Sequence, residues 1–413
     1  MSKKRTADQA FVRKVNLSVV LRHIHIASPV SRAQIAMATG LNKSTVSSLV
    51  DDLLKRDLIL ESGTNSVGTG RPATLLKINP NVGYIIGVQF GVDFVAVILT
   101  DFLGKIQLRK RIESSPTELP DHVIKQALSL VSEAIDTCKN NQQKMLGIGI
   151  SAPGIVDIDQ GVLMYAPNLQ WRNIPLKKIF SEYTELKTFV DNDANAAAIA
   201  EYLFGTTRLS KDFIFVFAGV GIGGGLFLNG NLHRGKNGYA GEIGHSPIIA
   251  DYPPLKCHCG NCGCWETYAN QDSILYRVQT CLDKQQNSIL PELISEKNAP
   301  LSISMVKQAA DLNDKVAITS LAEAGAALGQ GFACIINIFN PEKIILGGPL
   351  ASIGDYLLPS SKEKMTQYSL NEYGSEVQVL LSSFGTDASL IGGIAIVVDD
   401  ILSNPLQVER RWS

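Results

Sequence analysis

The stretch GEIGHSPIIADYPPLKCHCGNCGCWE, residues 241–266, gathers four of the chain's seven cysteines into eight residues. Cysteines clustered this closely in a protein expected in the cytoplasm indicate a metal site more than disulfides. With the preceding histidine they form the order His-x11-Cys-x-Cys-x4-Cys, which offers one imidazole and three thiolates. Such a set closes a tetrahedral zinc site and leaves no position open for a reacting water. The predicted ligands are His245, Cys257, Cys259 and Cys264.

Three other uses of this cluster fit the residues less well. A catalytic zinc normally keeps one coordination position free. A redox pair would not need the histidine, and a DNA-reading finger would need a helix with basic or amide side chains, which this stretch lacks. The spacing alone leaves open a swap between Cys262, the remaining thiol, and one of its neighbours.

The charge distribution favours a basic head on an acidic body. A chain of 413 residues is too long for one ordinary core, so two or three domains are expected. Residues 1–80 hold 12 lysines and arginines against 5 acidic residues, whereas the remainder holds 26 against 34. The basic head therefore predicts a polyanionic partner. No apolar run reaches the roughly 18 residues of a membrane span, and the N-terminus lacks a signal segment, so a cytoplasmic protein without a membrane partner is expected.

Residues 31–59 have the spacing of a helix-turn-helix unit. Ser31 and Gln34 have capping-box spacing, which marks the start of one helix. Gly40 suits a sharp turn at positive φ, and Asn42 can cap the next helix. That second helix is expected to bury Val46, Leu49, Leu53 and Leu54. Polar and basic side chains would then face the major groove. The predicted DNA contacts here are Arg32, Lys43, Ser44, Thr45, Ser47 and Ser48.

A wing is predicted directly after the second helix. The stretch LILESGTNSVGTGRPATLLKINP consists of two strand-like segments around a polar, glycine-rich loop. Arg71 stands at the tip between a glycine and a proline. An extended arginine in such a setting suits a narrow, electronegative minor groove. We therefore expect Arg71 to bind DNA.

From Gly83 onward the pattern indicates an α/β body. Strands are expected at 188–191, 213–219 and 343–348, with helices between them. Two strand–glycine turn–strand units, one in each half of the body, would suit two related lobes around a cleft.

Four motifs of the body resemble the ROK family of sugar kinases and sugar-responsive repressors. They are DNDANAAA (191–198), GVGIGGGLFLNG (219–230), GEIGH (241–245) and CHCGNCGCWE (257–266). The resemblance covers roughly residues 83–400, and the winged head looks like that of the family's repressors. It implies a winged helix-turn-helix domain over residues 1–80 and an actin-like, hexokinase-like, two-lobed α/β body over 81–413. The zinc-binding loop would span 245–264, and Cys262 would not be a ligand.

The resemblance also implies a sugar pocket. Family residues that match Glu242, His245 and Glu266 line it, with the histidine binding zinc through one nitrogen and sugar through the other. In the kinases, the residue matching Asp193 accepts the proton of the attacking hydroxyl. A structural zinc would hold such carboxylates rigidly. The implied sugar-binding residues are Asn168, Asn192, Asp193, Glu242, His245 and Glu266. For Asn192 a helix N-cap is an alternative role.

The hairpin that holds ATP in family kinases is altered here. Where they carry Asp-x-Gly-Gly-Thr-Lys, this chain has Gln89, Phe90, Gly91, Val92, Asp93 and Phe94. An acid near magnesium and a lysine are lost, and a negative charge is added beside the phosphates. Each such contact is worth on the order of 1–4 kcal/mol at a few ångströms. Kinase activity is therefore not expected.

Together these features predict a sugar-responsive transcriptional repressor that is not an enzyme. Its partners would be operator DNA and a monosaccharide, and a homodimer or dimer of dimers would match paired half-sites. Xylose, glucose and N-acetylglucosamine all fit, and APNLQWRNIPL mildly resembles the family's xylose-type repressors. An active sugar kinase with a DNA-binding appendage and a DNA-binding scaffold with a vestigial pocket are the two alternatives.

Overall fold

The computed structural model describes residues 8–65, 73–208, 210–248, 255–370 and 373–408. Its N-terminal part combines three helices with a small antiparallel sheet in the order β1-β3-β2. The elements are α1 (Gln9–Ala27), β1 (Val30–Ser31), α2 (Arg32–Thr39), α3 (Lys43–Lys55), β2 (Ile59–Asn65) and β3 (Ala73–Ile78). Strands β2 and β3 flank the predicted wing tip; Arg71 itself lies outside the described residues.

The local signals of the helix-turn-helix unit are confirmed. Ser31 and Gln34 form a reciprocal capping box, Gly40 ends α2 at φ 70°, and the Asn42 side chain accepts a hydrogen bond from the Thr45 amide. One expectation was wrong, because Leu54 is only half-buried. Asp52 takes a buried position instead, where Arg13 and Arg56 both bind its carboxylate at 3.1 Å.

The first lobe of the body is built on a five-stranded sheet in the order β11-β7-β4-β5-β6. The parallel strands β4, β7 and β11 lie next to an antiparallel meander. A second, small sheet (β8–β10) covers the edge of the cleft. The elements are β4 (Tyr84–Phe90), β5 (Phe94–Thr100), β6 (Ile106–Glu113), α4 (Pro120–Asn140), β7 (Met145–Ala152), β8 (Ile155–Asp157), β9 (Val162–Ala166), β10 (Trp171–Ile174), α5 (Leu176–Thr184), β11 (Thr188–Asn192) and α6 (Asp193–Phe204).

The second lobe repeats this plan with a sheet in the order β14-β13-β12-β15-β16. Its hairpin β12–β13 corresponds to the β4–β5 hairpin, which confirms the two related units. The elements are β12 (Phe213–Ala218), β13 (Ile222–Leu228), β14 (Asn231–Leu232), α7 (Glu266–Ala269), α8 (Gln271–Asp283), α9 (Leu290–Lys297), α10 (Ile303–Asp311), α11 (Lys315–Phe339), β15 (Lys343–Gly347), α12 (Gly354–Tyr368), α13 (Tyr373–Glu376), β16 (Gln378–Leu381) and α14 (Ala388–Ser403).

Two helices connect the lobes and pack against each other. Helix α6 leads from β11 of the first lobe to the second, and α14 returns from β16 to cover the first sheet. The contact is close because Gly392 of α14 lies against Ala196 of α6, where an added Cβ would come within 2.5 Å of backbone. We call α6 and α14 the connecting helices.

Helix α11 is the one helix of the described residues that is long and apolar enough to cross a membrane by length and composition. The sequence had led us to expect no apolar segment of that length. Two-thirds of its apolar window, 67%, is buried inside the protein. The helix contacts α8, α10 and α12 of the second lobe, and most of its apolar side chains belong to the core.

Candidate functional site

A cavity of about 500 Å³ lies between the two lobes. The first lobe contributes the β4–β5 hairpin and the start of α6, and the second contributes the glycine-rich β12–β13 turn and the cysteine loop. All six residues with a predicted sugar-binding role line this one cavity: Asn168, Asn192, Asp193, Glu242, His245 and Glu266. Residues up to about 100 positions apart in sequence are thus brought together.

The histidine and three cysteines of the loop converge beside this cavity. Their ligand atoms all lie within 4.8 Å of one another. The Cys259 and Cys264 sulfurs are 3.7 Å apart, as are the Cys257 sulfur and His245 Nδ1. Zinc–sulfur bonds of about 2.3 Å at tetrahedral angles require sulfurs about 3.8 Å apart. The two pairs at 3.7 Å are close to this spacing, so the four side chains together could hold a metal ion.

The backbone of the loop selects which thiols converge. A tight turn places Gly260 at φ 98°, and its amide donates to the Cys257 carbonyl. Bridges then pair Pro247 with Cys264 and Lys256 with Cys262. Cys262 is exposed and lies outside the converging group.

The metal-ligand group and the cavity share the imidazole of His245. Its Nδ1 faces the sulfurs, while its Nε2 lies 3.8 Å from a Glu242 carboxylate oxygen. Glu266, the first residue of α7, has one oxygen 2.9 Å from the Cys257 sulfur and 3.5 Å from His245 Nδ1. Its other oxygen accepts a hydrogen bond from the Ile222 amide at 3.4 Å. The loop thus fixes an acceptor-rich wall of the cavity.

Asp193 begins α6 at the opposite wall. Burial raises the pKa of its carboxyl to about 7, against an opposing hydrogen bond from the Ala194 amide, and the negative charge of Glu242 adds to the rise. A carboxyl with this pKa exchanges its proton near neutral pH, so it can either donate or accept a hydrogen bond there.

Asn192 has extensive local bonds. Its side-chain oxygen accepts from the amides of Ala194 and Asn195 at 2.9 and 3.2 Å, and its nitrogen donates to the Gly154 carbonyl at 2.9 Å. The helix-cap role expected as an alternative is confirmed, and a contact with sugar stays a prediction.

Two further ionic or ring contacts near the cavity were not predicted from sequence. Arg234 binds the buried carboxylate of Asp191 in a bidentate pair at 2.6 and 2.8 Å, which holds the end of β11. The Phe94 ring packs on Gly91 so closely that a Cβ there would clash, and the Arg111 guanidinium lies 3.7 Å above that ring. These partners are distant in sequence or need side-chain geometry, so no local pattern indicates them.

The winged head is bound to the far ends of the connecting helices. His25 of α1 is buried, and its Nε2 lies 3.1 Å from the Leu203 carbonyl at the end of α6. Arg22 of α1 pairs with Asp399 of α14 at 2.8 Å and donates to Ser403 Oγ. The apolar core of the head is continuous with that of these two helices.

The predicted DNA contacts of the helix-turn-helix unit lie at or near the surface. Lys43, Ser44 and Ser48 are exposed, whereas Thr45 and Ser47 are half-buried. Arg32 pairs with Asp51 at 2.8 Å and donates to the Ser47 carbonyl at 3.3 Å. An intramolecular ion pair therefore orients Arg32 over α3.

Comparison with known protein families decides the family of this chain. The ROK family model matches residues 85–400, and a MarR family model matches residues 18–65. The chain belongs to the ROK family. Its body thus has the actin-like, hexokinase-like fold of ROK proteins, and its head is a winged helix of the MarR type.

Similar ROK proteins include regulators and kinases. The xylose repressor of Bacillus subtilis (strain 168) is 35% identical over 398 residues, covering 96% of this chain and 98% of the relative. The transcriptional dual regulator NagC of Escherichia coli (strain K12) is 30% identical, covering 96% and 95%.

Among solved structures, a ROK family transcriptional regulator homologous to the E. coli MLC protein matches with a TM-score of 0.80 and 27% identity over 96% of this chain and 98% of that one. A ROK family glucokinase from Streptomyces griseus, in complex with glucose and AMPPNP, matches with 0.66 and 29% over 76% of this chain and 99% of that one. The regulator therefore matches head and body, whereas the kinase covers about three-quarters of the chain.

Proposed function

We propose that this ROK protein is a sugar-responsive transcriptional repressor that acts in the cytoplasm. Residues 1–80 would form the operator-binding domain and residues 81–413 the sugar-binding body. One observation carries the proposal: the connecting helices line the cavity with their first residues and hold the DNA-binding head with their last. Relatives named as xylose and N-acetylglucosamine repressors support the same function.

Sugar would change operator affinity through the connecting helices. Asp193 opens α6 and Leu390 lies in the first turn of α14, and both face the cavity. The opposite ends bind His25 and Arg22 of the head. A sugar that binds one lobe arrangement more tightly than the other shifts the equilibrium between them. The heads of a homodimer, or of a dimer of dimers, would then no longer match two half-sites.

Polar side chains around the cavity suit sugar hydroxyls. Glu242 and Glu266 would accept hydrogen bonds, His245 would use Nε2, and Asp193 would bond as donor or acceptor. Asn168 and Asn192 complete the proposed set. Directed bonds of this kind fix the orientation of a neutral ligand.

A zinc ion would have a structural role in this site. The donor set of one imidazole and three thiolates is the set zinc prefers, and its closed coordination supplies rigidity rather than reactivity. Its proposed ligands are His245, Cys257, Cys259 and Cys264. Because His245 and Glu266 contact both the sulfurs and the cavity, the metal would fix the sugar-binding wall.

ATP binding is not part of the proposed function. The Phe94 ring covers the Gly91 backbone, which phosphate would have to approach in a kinase. The leading acid of the kinase pattern is replaced by Gln89 and its second glycine by Val92. Asp93 replaces the threonine and adds a negative charge. The glucokinase match keeps a sugar kinase as the second candidate.

A thermal-shift screen with D-xylose, D-glucose and N-acetyl-D-glucosamine tests the proposal. A ligand that binds only the folded state increases the free energy of unfolding, by about 2.7 kcal/mol at a ligand concentration of one hundred times Kd. The melting temperature rises accordingly. We expect at least one sugar to do so, with no ATP turnover in its presence. Turnover at about 1 s⁻¹ or faster, the range of ordinary kinases, would establish the kinase instead. No melting shift with any of the sugars would favour the scaffold with a vestigial pocket.

A further inference from the structure

Two amide side chains in the cavity have no assigned role. Gln89 lies on β4 at the end of the cavity nearest the altered hairpin, and Asn195 lies in the first turn of α6. Their exposed fractions are 5% and 3%. Neither side-chain amide makes a hydrogen bond to any other residue within the described ranges, and the Asn195 oxygen is fully enclosed without a partner.

Unpaired buried amides are costly. A buried polar group without a partner costs about 1–3 kcal/mol, so such groups in folded proteins are satisfied by protein, water or ligand. A third amide, that of Gln330, also has a buried oxygen without a hydrogen-bond partner, but it lies away from the cavity. Gln89 and Asn195 differ from Gln330 because both line a space large enough for a ligand.

The charges around the cavity disfavour an anionic group at this position. Arg109 is held by Asp387 in a bidentate pair at 2.6 and 2.7 Å. Arg111 is paired with Glu113 at 2.8 Å and stacked on Phe94. The carboxyl groups lining the remaining wall are Asp93, Asp193, Glu242 and Glu266. Both guanidinium groups are thus committed, and a phosphate would meet like charge.

An amide recognises different chemistry from the acid that ROK kinases carry at the position of Gln89. A carboxylate offers acceptors and a negative charge, which suit a metal ion. An amide is neutral and offers both a donor and an acceptor, which suits a hydroxyl in either direction or a carbonyl.

We infer that Gln89 and Asn195 form a second polar subsite of the cavity, which hydrogen-bonds a neutral hydroxyl or carbonyl group of the bound saccharide. The subsite deepens the proposed function and rests on it. Because a site built for a hydroxyl strongly rejects an analogue that lacks it, these amides select among sugars.

Calorimetry on the full chain tests the subsite with whichever of D-xylose, D-glucose and N-acetyl-D-glucosamine binds best. Gln89→Met and Asn195→Leu keep approximate shape but remove the amide. Each is expected to weaken binding about tenfold, as loss of one buried hydrogen bond would. Gln330→Leu is the matched control and should stay within about twofold of wild type. Melting temperatures without sugar show that each variant is folded.

Monodeoxy analogues of the same sugar separate direct contact from altered packing. At one position, loss of the hydroxyl should weaken binding to wild type but not to Gln89→Met or Asn195→Leu, because the partner is already gone. The subsite would be overturned if both variants bound sugar with wild-type affinity, or if removal of the hydroxyl weakened binding equally in wild type and both variants. Water would then be the partner of the two amides. If wild type binds none of the three sugars, the sugar-sensing proposal itself fails.

Discussion

Asp193 carries a cost to stability in addition to its proposed binding role. Burial raises the pKa of its carboxyl to about 7, so the folded chain retains a proton that the unfolded chain releases above about pH 4. The free energy of unfolding should therefore fall as pH rises from about 4 to about 7, and stay level beyond that. Each pH unit in this window is worth up to about 1.4 kcal/mol.

Asp193→Asn should remove this pH dependence. Its melting temperature is expected to exceed that of wild type by several degrees at pH 8 and to approach it near pH 4. Asp136→Asn, at an exposed position of α4, is the control. Differential scanning calorimetry at both pH values measures the effect. An equal difference between wild type and Asp193→Asn at pH 4 and pH 8 would show that the carboxyl does not titrate in this window.

Arg71 is the residue on which the wing assignment depends. Arg71→Ala should weaken operator binding about tenfold, since it would remove the guanidinium that is proposed to enter the minor groove, and should leave sugar affinity unchanged. Lys77→Ala removes one exposed positive charge from β3 and serves as the matched control. Fluorescence anisotropy with a selected operator fragment gives the operator affinities of both variants. If the two variants bind operator alike, Arg71 contributes only net charge.

At the scale of elements, the cysteine loop distinguishes two neighbouring thiols. Cys259→Ser removes a proposed zinc ligand and should release about one equivalent of zinc, with loss of the sugar-induced melting shift. Cys262→Ser should retain both, because Cys262 is exposed outside the converging group. Metal analysis of the purified variants measures the first effect directly. Equal zinc content in the two variants would refute the ligand assignment.

The bonds between the head and the connecting helices should be required for sugar to change operator affinity. Arg22→Ala with His25→Leu removes the bonds from α1 to α14 and α6. Allosteric coupling typically changes an affinity 5- to 150-fold. We expect the double variant to reduce the ratio of operator affinities without and with sugar at least threefold, while its sugar affinity stays unchanged. His23→Ala, on the same helix, is the control. An unchanged ratio of operator affinities with and without sugar would exclude this route.

The sequence predicted elements whose signals are local. The capping box of Ser31 and Gln34, the turn at Gly40 and the cap at Asn42 each depend on residues within a few positions. The docking of the head could not be predicted, because His25 and the Leu203 carbonyl are 178 residues apart. The same holds for Phe94 and Arg111, whose stacking depends on side-chain directions across two strands. The family motifs predicted which carboxyl, amide and imidazole groups line the cavity, but they assigned no sugar-binding role to Gln89 or Asn195.

The whole molecule has three parts: a winged head, two lobes and the connecting helices between them. The lobes enclose a cavity in which carboxyl, amide and imidazole side chains come together, and the connecting helices run from it to the head. If sugar lowers operator affinity, as proposed, thermodynamic linkage requires that the operator lower the affinity for sugar by the same factor.

The most direct measurement is operator affinity with and without sugar. An operator fragment obtained by in vitro selection is titrated with the full chain by fluorescence anisotropy, at fixed salt, in the absence and presence of saturating D-xylose, D-glucose or N-acetyl-D-glucosamine. Under the proposed repressor function, the sugar with the largest melting shift weakens operator binding at least fivefold. An operator affinity that stays the same while that sugar is bound would contradict it.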